Sequence, residues 1–204
     1  MKPRTHMDRL QQIVGAQHGI SIEVAAWDGA GAAVDLSCAC MFTRELDAQE
    51  PKGGLAHLDC ALGGQLLALR RDGTFQALAG ETLLIDTPPS TIAARALLIL
   101  GLGSPEGWSA KALSRAVQAA AATALALGVR SAAIAPSMLD SGLLPPQTQD
   151  APTHMTKGLI AALGSHARLC ELGLARKPLL ERWVFDVGVA RFEHAVGQFR
   201  AALA

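Results

Sequence analysis

The chain has 204 residues, half of them hydrophobic but only 4% aromatic, and its 18 Lys and Arg balance its 18 Asp and Glu. A neutral chain without a dense basic cluster disfavours nucleic-acid binding, because that binding relies on neutralising phosphates. The length predicts a single domain over residues 1–204. The sequence has no apolar leader and no run of eighteen apolar residues, which predicts a cytoplasmic protein and no membrane anchor.

The first third of the chain predicts an extension, two strands and a helix. Residues 1–18 are polar and predict a flexible or helical extension. Strands are predicted at 21–27 and 33–42, on either side of a turn. One helix that ends at Gly73 is then predicted from leucines at helical spacing, namely Leu58, Leu62, Leu66 and Leu69.

The rest of the chain alternates strands and helices. Strands are predicted at 81–87, 94–100, 131–136 and 180–187. A long alanine-rich helix begins after the capping residue Ser109 and ends at Gly128, and two further helices follow. Helices this frequent cannot all lie on one face of a sheet, so the pattern predicts a three-layer α/β/α domain.

The glycine-rich turn at Gly101 and Gly103 follows an apolar strand and precedes the long helix. A phosphate cradle needs backbone N–H groups that converge on the anion. The spacing of Gly101, Gly103 and Gly107 is not that of the dinucleotide fingerprint, and Pro105 removes a donor. We therefore interpret Gly101 and Gly103 as a structural turn.

The loop after the next strand is the better candidate for anion binding. Asp140, Ser141 and Gly142 lie between a buried strand and a helix. Open α/β sheets bind ligands in the loops beyond the carboxyl ends of their strands. The alternative is an ordinary strand-to-helix connection, and the sequence leaves both open.

The remaining His, Cys and Asp side chains do not predict a metal site or a reaction. The six histidines are scattered and predict no metal site. Cys38 and Cys40 lie in a predicted strand, where packing is a commoner role than redox chemistry. His57 and Asp59 lie near a helix start, where either catalysis or capping would explain them. We predict no catalytic residue, no metal and no cofactor.

Several stretches resemble the N-terminal domain of leucyl (cytosolic) aminopeptidases. The segment "GGLAHLDCALGGQLLALRRDGTFQALAGETLLI" carries the likeness, which "ALLILGLG" and "LGVRSAAIAP" continue in the same order, from about Val34 to Pro136. Those N-terminal domains share the macro-domain fold. The resemblance implies an α/β, three-layer α/β/α macro-like domain, for which we expect a mixed central sheet.

The macro-domain likeness also implies ligand-binding positions. "VRSAAIAPSMLDSGLLPP" is similar to the macro phosphate loop, which places Ser141 and Gly142 on that loop with Asp140 and Leu143 beside them. Asp28 lies where ADP-ribose-binding macro domains place the Asp that meets adenine. The chain departs from those domains in two places: cysteines replace the asparagines expected near the distal ribose, and Gly142 is followed by Leu143, Leu144 and Pro145 instead of a second glycine.

The resemblance implies two functions. The aminopeptidase reaction belongs to a separate domain with an Asn-Thr-Asp-Ala-Glu-Gly-Arg motif, which this sequence lacks. The leading hypothesis is therefore a non-catalytic binding or assembly module, which joins an aminopeptidase subunit or forms a homo-oligomer. The alternative is a domain for ADP-ribose or a related nucleotide, with or without hydrolase activity.

Overall fold

The computed structural model describes residues 10–27, 29–46 and 50–204. The strands are β1 (Gln11–Gln17), β2 (Ile20–Ala25), β3 (Leu36–Met41), β4 (Thr82–Ile85), β5 (Ala96–Gly101), β6 (Ser131–Ala135) and β7 (Arg182–Asp186). The helices are α1 (Gly53–Ala61), α2 (Gln65–Asp72), α3 (Ala110–Leu127), α4 (Ala151–Glu171) and α5 (Phe192–Leu203). None of these helices is both long and apolar enough to cross a membrane.

The seven strands form one mixed sheet in the order β1-β2-β7-β6-β3-β5-β4. The inner strands β2, β7, β6, β3 and β5 run parallel, whereas β1 and β4 pair antiparallel at the two edges. The carboxyl ends of the parallel strands therefore all lie at the same end of the sheet. The predicted α/β fold with a mixed central sheet is confirmed.

Helices cover both faces of this sheet, as its two hydrophobic cores show. Alternate residues of a strand point to opposite faces. Cys38 and Cys40 of β3 pack with α3, α4 and α5, whereas Ala39 and Met41 pack with α1 and α2. The three-layer arrangement predicted from the element order is confirmed.

Helix α3 shows how the local sequence sets an element. The Ser109 Oγ accepts the Ala112 N–H at 3.2 Å and so caps the first turn. Gly128 has a φ of 66° and closes the last turn in the left-handed conformation that glycine adopts without strain. Its buried stripe includes Leu113, Val117 and Ala124, as the spacing predicts.

Two predicted elements are wrong. Residues 11–17 form strand β1 where the sequence predicted a helical or flexible extension, and residues 1–9 lie outside the described part. His18 and Gly19, both with positive φ, turn β1 back onto β2. The single helix predicted through Leu58 and Leu69 is two helices, because Gly63 and Gly64 adopt positive φ between α1 and α2.

Edge strand β1 carries an irregularity. Its register against β2 shifts between Ile13 and Gly15. A Cβ added at Gly15 would lie 3.0 Å from Cδ1 of Leu203, so glycine allows α5 to approach the strand closely. The missing side chain of Gly15, next to the register shift, thus leaves room for the last turn of α5 beside β1.

Candidate functional site

An open cavity of about 600 Å³ lies at the carboxyl ends of four neighbouring parallel strands. Trp27 beyond β2, Ala39 of β3, Ala135 of β6 and Asp186 of β7 contribute to its wall. The N-terminal residues of α1 and parts of α4 and α5 complete a mostly apolar lining. Parallel α/β sheets bind ligands at this end, beyond the carboxyl ends of their strands.

The backbone of Trp27 holds this residue at the carboxyl end of the sheet. Its N–H donates to Asp186 Oδ1 at 2.9 Å. The Nε1–H of its indole ring is buried and has no acceptor in the described part of the chain. A buried donor without a partner costs free energy.

Asp186 ends β7 and is almost entirely buried, at 5% exposure. Besides the Trp27 N–H, its Oδ1 accepts the Gly188 N–H at 3.4 Å. The carboxylate therefore joins the exits of β2 and β7, two neighbouring strands. Sequence reasoning missed this residue, because Asp186 fell inside the strand predicted at 180–187; the available signal was a carboxylate at the end of a buried strand, shortly before Gly188.

The predicted phosphate loop lies beyond β6, as expected from the sequence, but only some of its residues face the cavity. Asp140 lines the cavity, whereas Ser141, Gly142 and Leu143 are not among the residues of its wall. Ser141 is fully buried, and its Oγ donates to the Ser137 carbonyl at 3.5 Å. Leu143 packs into the core formed with α3, α4 and α5.

The backbone of this loop is closed on itself. The N–H groups of Ser141 and Leu143 donate to the Met138 carbonyl, both at 3.3 Å. The Gly142 N–H donates to Leu139 at 3.1 Å, and the φ of Gly142 is 93°. The donors that a phosphate loop would present to an anion are thus used within the loop.

Asp140 instead connects the loop to α1. Its Oδ2 accepts the Leu55 N–H at 3.1 Å, and its carbonyl accepts the Lys52 N–H at 3.0 Å. Burial raises the pKa of Asp140; the N–H groups of Leu55 and Gly54 and the charge of His57 oppose this without cancelling it. A Cβ at Gly53 would lie only 2.2 Å from Oδ1, so glycine is needed for the contact.

The other predicted site residues lie apart from this cavity or outside the described residues. Asp28, the predicted adenine contact, lies outside them. At Gly101, a Cβ would lie 2.1 Å from the Leu78 carbonyl oxygen, and Gly103 has a φ of 79°. Both glycines therefore let the exit of β5 pack against the backbone of residues 77–79.

The remaining reactive side chains have structural surroundings. Cys38 and Cys40 are buried, and burial raises the pKa of both thiols, that of Cys40 to about 12. The Asp59 Oδ1 accepts the Leu67 N–H at 3.0 Å and thus caps the first turn of α2. Within residues 10–27, 29–46 and 50–204, no three His, Cys, Asp or Glu side chains come together as a metal site.

The solved structures that resemble this chain share its fold. A macrodomain of Oceanobacillus iheyensis solved with ADP is 12% identical with a TM-score of 0.66, over 98% of this chain and 96% of its own. A Trypanosoma brucei macrodomain in complex with ADP is 20% identical with a TM-score of 0.54, over 89% of this chain and 69% of its own. At these identities the likeness shows the macro-domain fold.

A tomato leucine aminopeptidase variant gives a further match. It is 22% identical with a TM-score of 0.60, over 87% of this chain. The match covers 35% of the tomato chain, so this protein spans about a third of that enzyme's length. No curated protein matches the sequence significantly.

The family comparison agrees with the fold. The model of the N-terminal domain of the cytosol aminopeptidase family matches residues 41–163, more than half of the chain. This range begins at the last residue of β3 and ends within α4. The resemblance inferred from the sequence is thereby confirmed. The chain belongs to the family of cytosol aminopeptidase N-terminal domains.

Proposed function

We propose that this domain is a non-catalytic binding module whose cavity holds a nucleoside-containing ligand of the ADP-ribose class. The observation that carries the proposal is the open cavity of about 600 Å³ at the carboxyl ends of β2, β3, β6 and β7. Its volume lies within the range of small-molecule sites. Two macrodomains of the same fold are solved with ADP, which supports this class of ligand.

The lining suits a nucleoside. Apolar side chains such as Pro136, Leu139 and Val187 line the cavity and keep part of their surface exposed, which suits a flat base or a sugar face. The unpartnered Trp27 Nε1–H supplies a donor that a ring nitrogen or a hydroxyl oxygen of the ligand would satisfy. Sites of this kind combine an apolar wall with a few placed polar groups.

A binding role fits the carboxylates of the cavity better than catalysis does. Asp186 accepts the N–H groups of Trp27 and Gly188, and Asp140 accepts that of Leu55. Both side chains thus hold the backbone at the cavity wall.

Calorimetric titration with ADP-ribose and with adenosine tests the binding module. We expect at least one of them to bind with a Kd near 1 μM, about −8 kcal/mol. Trp27→Phe keeps an aromatic ring but removes the donor, so it should weaken binding about tenfold. Trp183→Phe is the matched control, because it removes another buried indole N–H that has no partner among the described residues, at a residue outside the cavity wall, and it should leave binding unchanged. No heat and no thermal shift at millimolar ligand would contradict the proposal.

A second candidate function is assembly, which a separate apolar groove favours. The groove of about 740 Å³ lies between the C-terminal halves of α3 and α4 and the segment before β7. Leu127, Leu169 and Leu179 line it and are each more than 40% exposed. Exposed apolar patches of this kind mark protein interfaces. The first partner to test is a second copy of the chain.

Light scattering measures the assembly directly. We expect a mass above that of one chain at micromolar concentration, and Leu179→Glu should return it to the monomer mass because a buried unpaired carboxylate is costly. Leu84→Glu, at an exposed position of β4, is the control and should leave the mass unchanged. A wild-type protein with the monomer mass would rule out self-assembly through this groove.

A further inference from the structure

We propose that Asp140 is a specificity-determining residue: its carboxylate occupies the anion position at the N-terminus of α1, so the cavity selects the uncharged nucleoside part of a ligand over its phosphates. The inference rests on the proposed binding function and deepens it. The domain would then be a nucleoside-binding module with the macro-domain fold. Three features of the cavity support it.

The first feature is the N-terminus of α1. The first N–H groups of a helix have no partner within the helix and attract anions. Here the anion is internal, because Asp140 Oδ2 accepts the Leu55 N–H at 3.1 Å and the Gly54 N–H also contacts this carboxylate. The left-handed Gly53, with a φ of 57°, leaves the space that the carboxylate fills. A ligand phosphate would have to displace the Asp140 carboxylate, which is part of the chain and is therefore always present at this position.

The second feature is the hydrogen bonding of the loop. The N–H groups of Ser141, Gly142 and Leu143 donate to carbonyls of Met138 and Leu139. The next N–H, that of Leu144, donates to the Gln147 Oε1 at 2.7 Å. A phosphate needs several free donors at once, and four consecutive ones are already used here.

The third feature is the balance of charge. Asp186, almost fully buried, adds a second carboxylate to the same wall. Arg191 contributes the one guanidinium among the described residues that line the cavity, with His57 and His194 at exposed positions of the wall. The partly exposed carboxylate of Asp140, together with the buried one of Asp186, disfavours a diphosphate at short range, whereas a neutral sugar or base meets no such charge repulsion.

The test compares adenosine, ADP and ADP-ribose on the wild-type protein and on Asp140→Asn, by calorimetry at fixed salt. We expect wild-type protein to bind adenosine at least as tightly as ADP-ribose. Asp140→Asn removes the charge but keeps an oxygen that accepts the Leu55 N–H. It should strengthen ADP and ADP-ribose binding about tenfold and change adenosine binding less than about twofold. Asp140→Ser repeats the test with a smaller neutral side chain that also favours helix N-termini.

The matched control is Asp150→Asn, which changes the net charge equally at an exposed residue outside the cavity wall. It should leave all three affinities unchanged. A wild-type protein that binds ADP-ribose ten times more tightly than adenosine, or variants that shift all ligands alike, would overturn the role of Asp140 and leave the binding function standing. Failure of wild type and both Asp140 variants to bind any of the three ligands would overturn the binding function and this inference together.

Discussion

Asp35 joins three strands at their amino ends, opposite the cavity. Its Oδ2 accepts the N–H groups of Arg130 and Ser131, both at 3.0 Å, and the Ser131 hydroxyl at 3.2 Å, at the start of β6. Arg95, directly before β5, lies 3.5 Å from Oδ1. Burial raises the pKa of Asp35, but these hydrogen bonds and the Arg95 charge together lower it below its ordinary value.

Asp35→Asn should lower the free energy of unfolding by about 1–2 kcal/mol at pH 7, because hydrogen bonds to a charged acceptor become bonds to a neutral one. A carboxyl whose pKa is lowered by folding stabilises the fold above its unfolded pKa, and that stability is lost as pH falls through the folded pKa. The difference between wild type and variant should therefore shrink below about pH 4. Urea unfolding at several pH values measures it.

Glu171→Gln provides the control for Asp35. Glu171 pairs with Arg168 in a largely exposed ion pair, and such pairs contribute little to stability. Its substitution should leave the free energy of unfolding almost unchanged across the same pH range. An equal loss in both variants would assign the effect to net charge and not to the contacts of Asp35.

The contact between α3 and α4 depends on a single missing methyl group. A Cβ added at Gly158 of α4 would lie 2.2 Å from the Ser114 carbonyl oxygen of α3. The two helices therefore approach each other at the backbone, in the layer that supports the cavity through α4 and α5. Gly164, six residues further along α4, has open space around it.

This pair of glycines gives a matched prediction. Gly158→Ala should destabilise the protein by about 1–3 kcal/mol, because the helices must separate to admit the methyl group. Gly164→Ala should stabilise it by up to about 1 kcal/mol through helix propensity. Thermal unfolding of both variants measures the contrast. A stabilising Gly158→Ala would show that the helix contact adjusts freely.

At the scale of the molecule, the two cores lie on opposite faces of one sheet and share its strands. We therefore predict that the domain unfolds in one cooperative transition. Leu113→Ala on the α3 face and Leu66→Ala on the α2 face remove fully buried side chains, and each should cost about 2–5 kcal/mol. Calorimetry should show the same single transition moved down in both variants. A separate second transition in either would contradict this.

The sequence predicted the inner strands, because each is a short apolar run, and it predicted α3 from its cap and its closing glycine. It failed at β1, because an edge strand with one partner keeps polar glutamines and shows only weak alternation. It placed the loop around Asp140 correctly in the fold. The hydrogen bond between Asp140 and Leu55 joins residues 85 positions apart, which no local pattern encodes.

The register shift in β1 has a consequence for how copies of this protein meet. An edge strand offers its free N–H and carbonyl groups to another strand, and long regular edges promote stacking of sheets into aggregates. The shift between Ile13 and Gly15 interrupts that ladder, and β4 at the other edge has only four residues. Within the part of the chain that the structure describes, neither edge offers a long regular template for a further strand. Growth of the sheet from molecule to molecule through these two edges is therefore disfavoured.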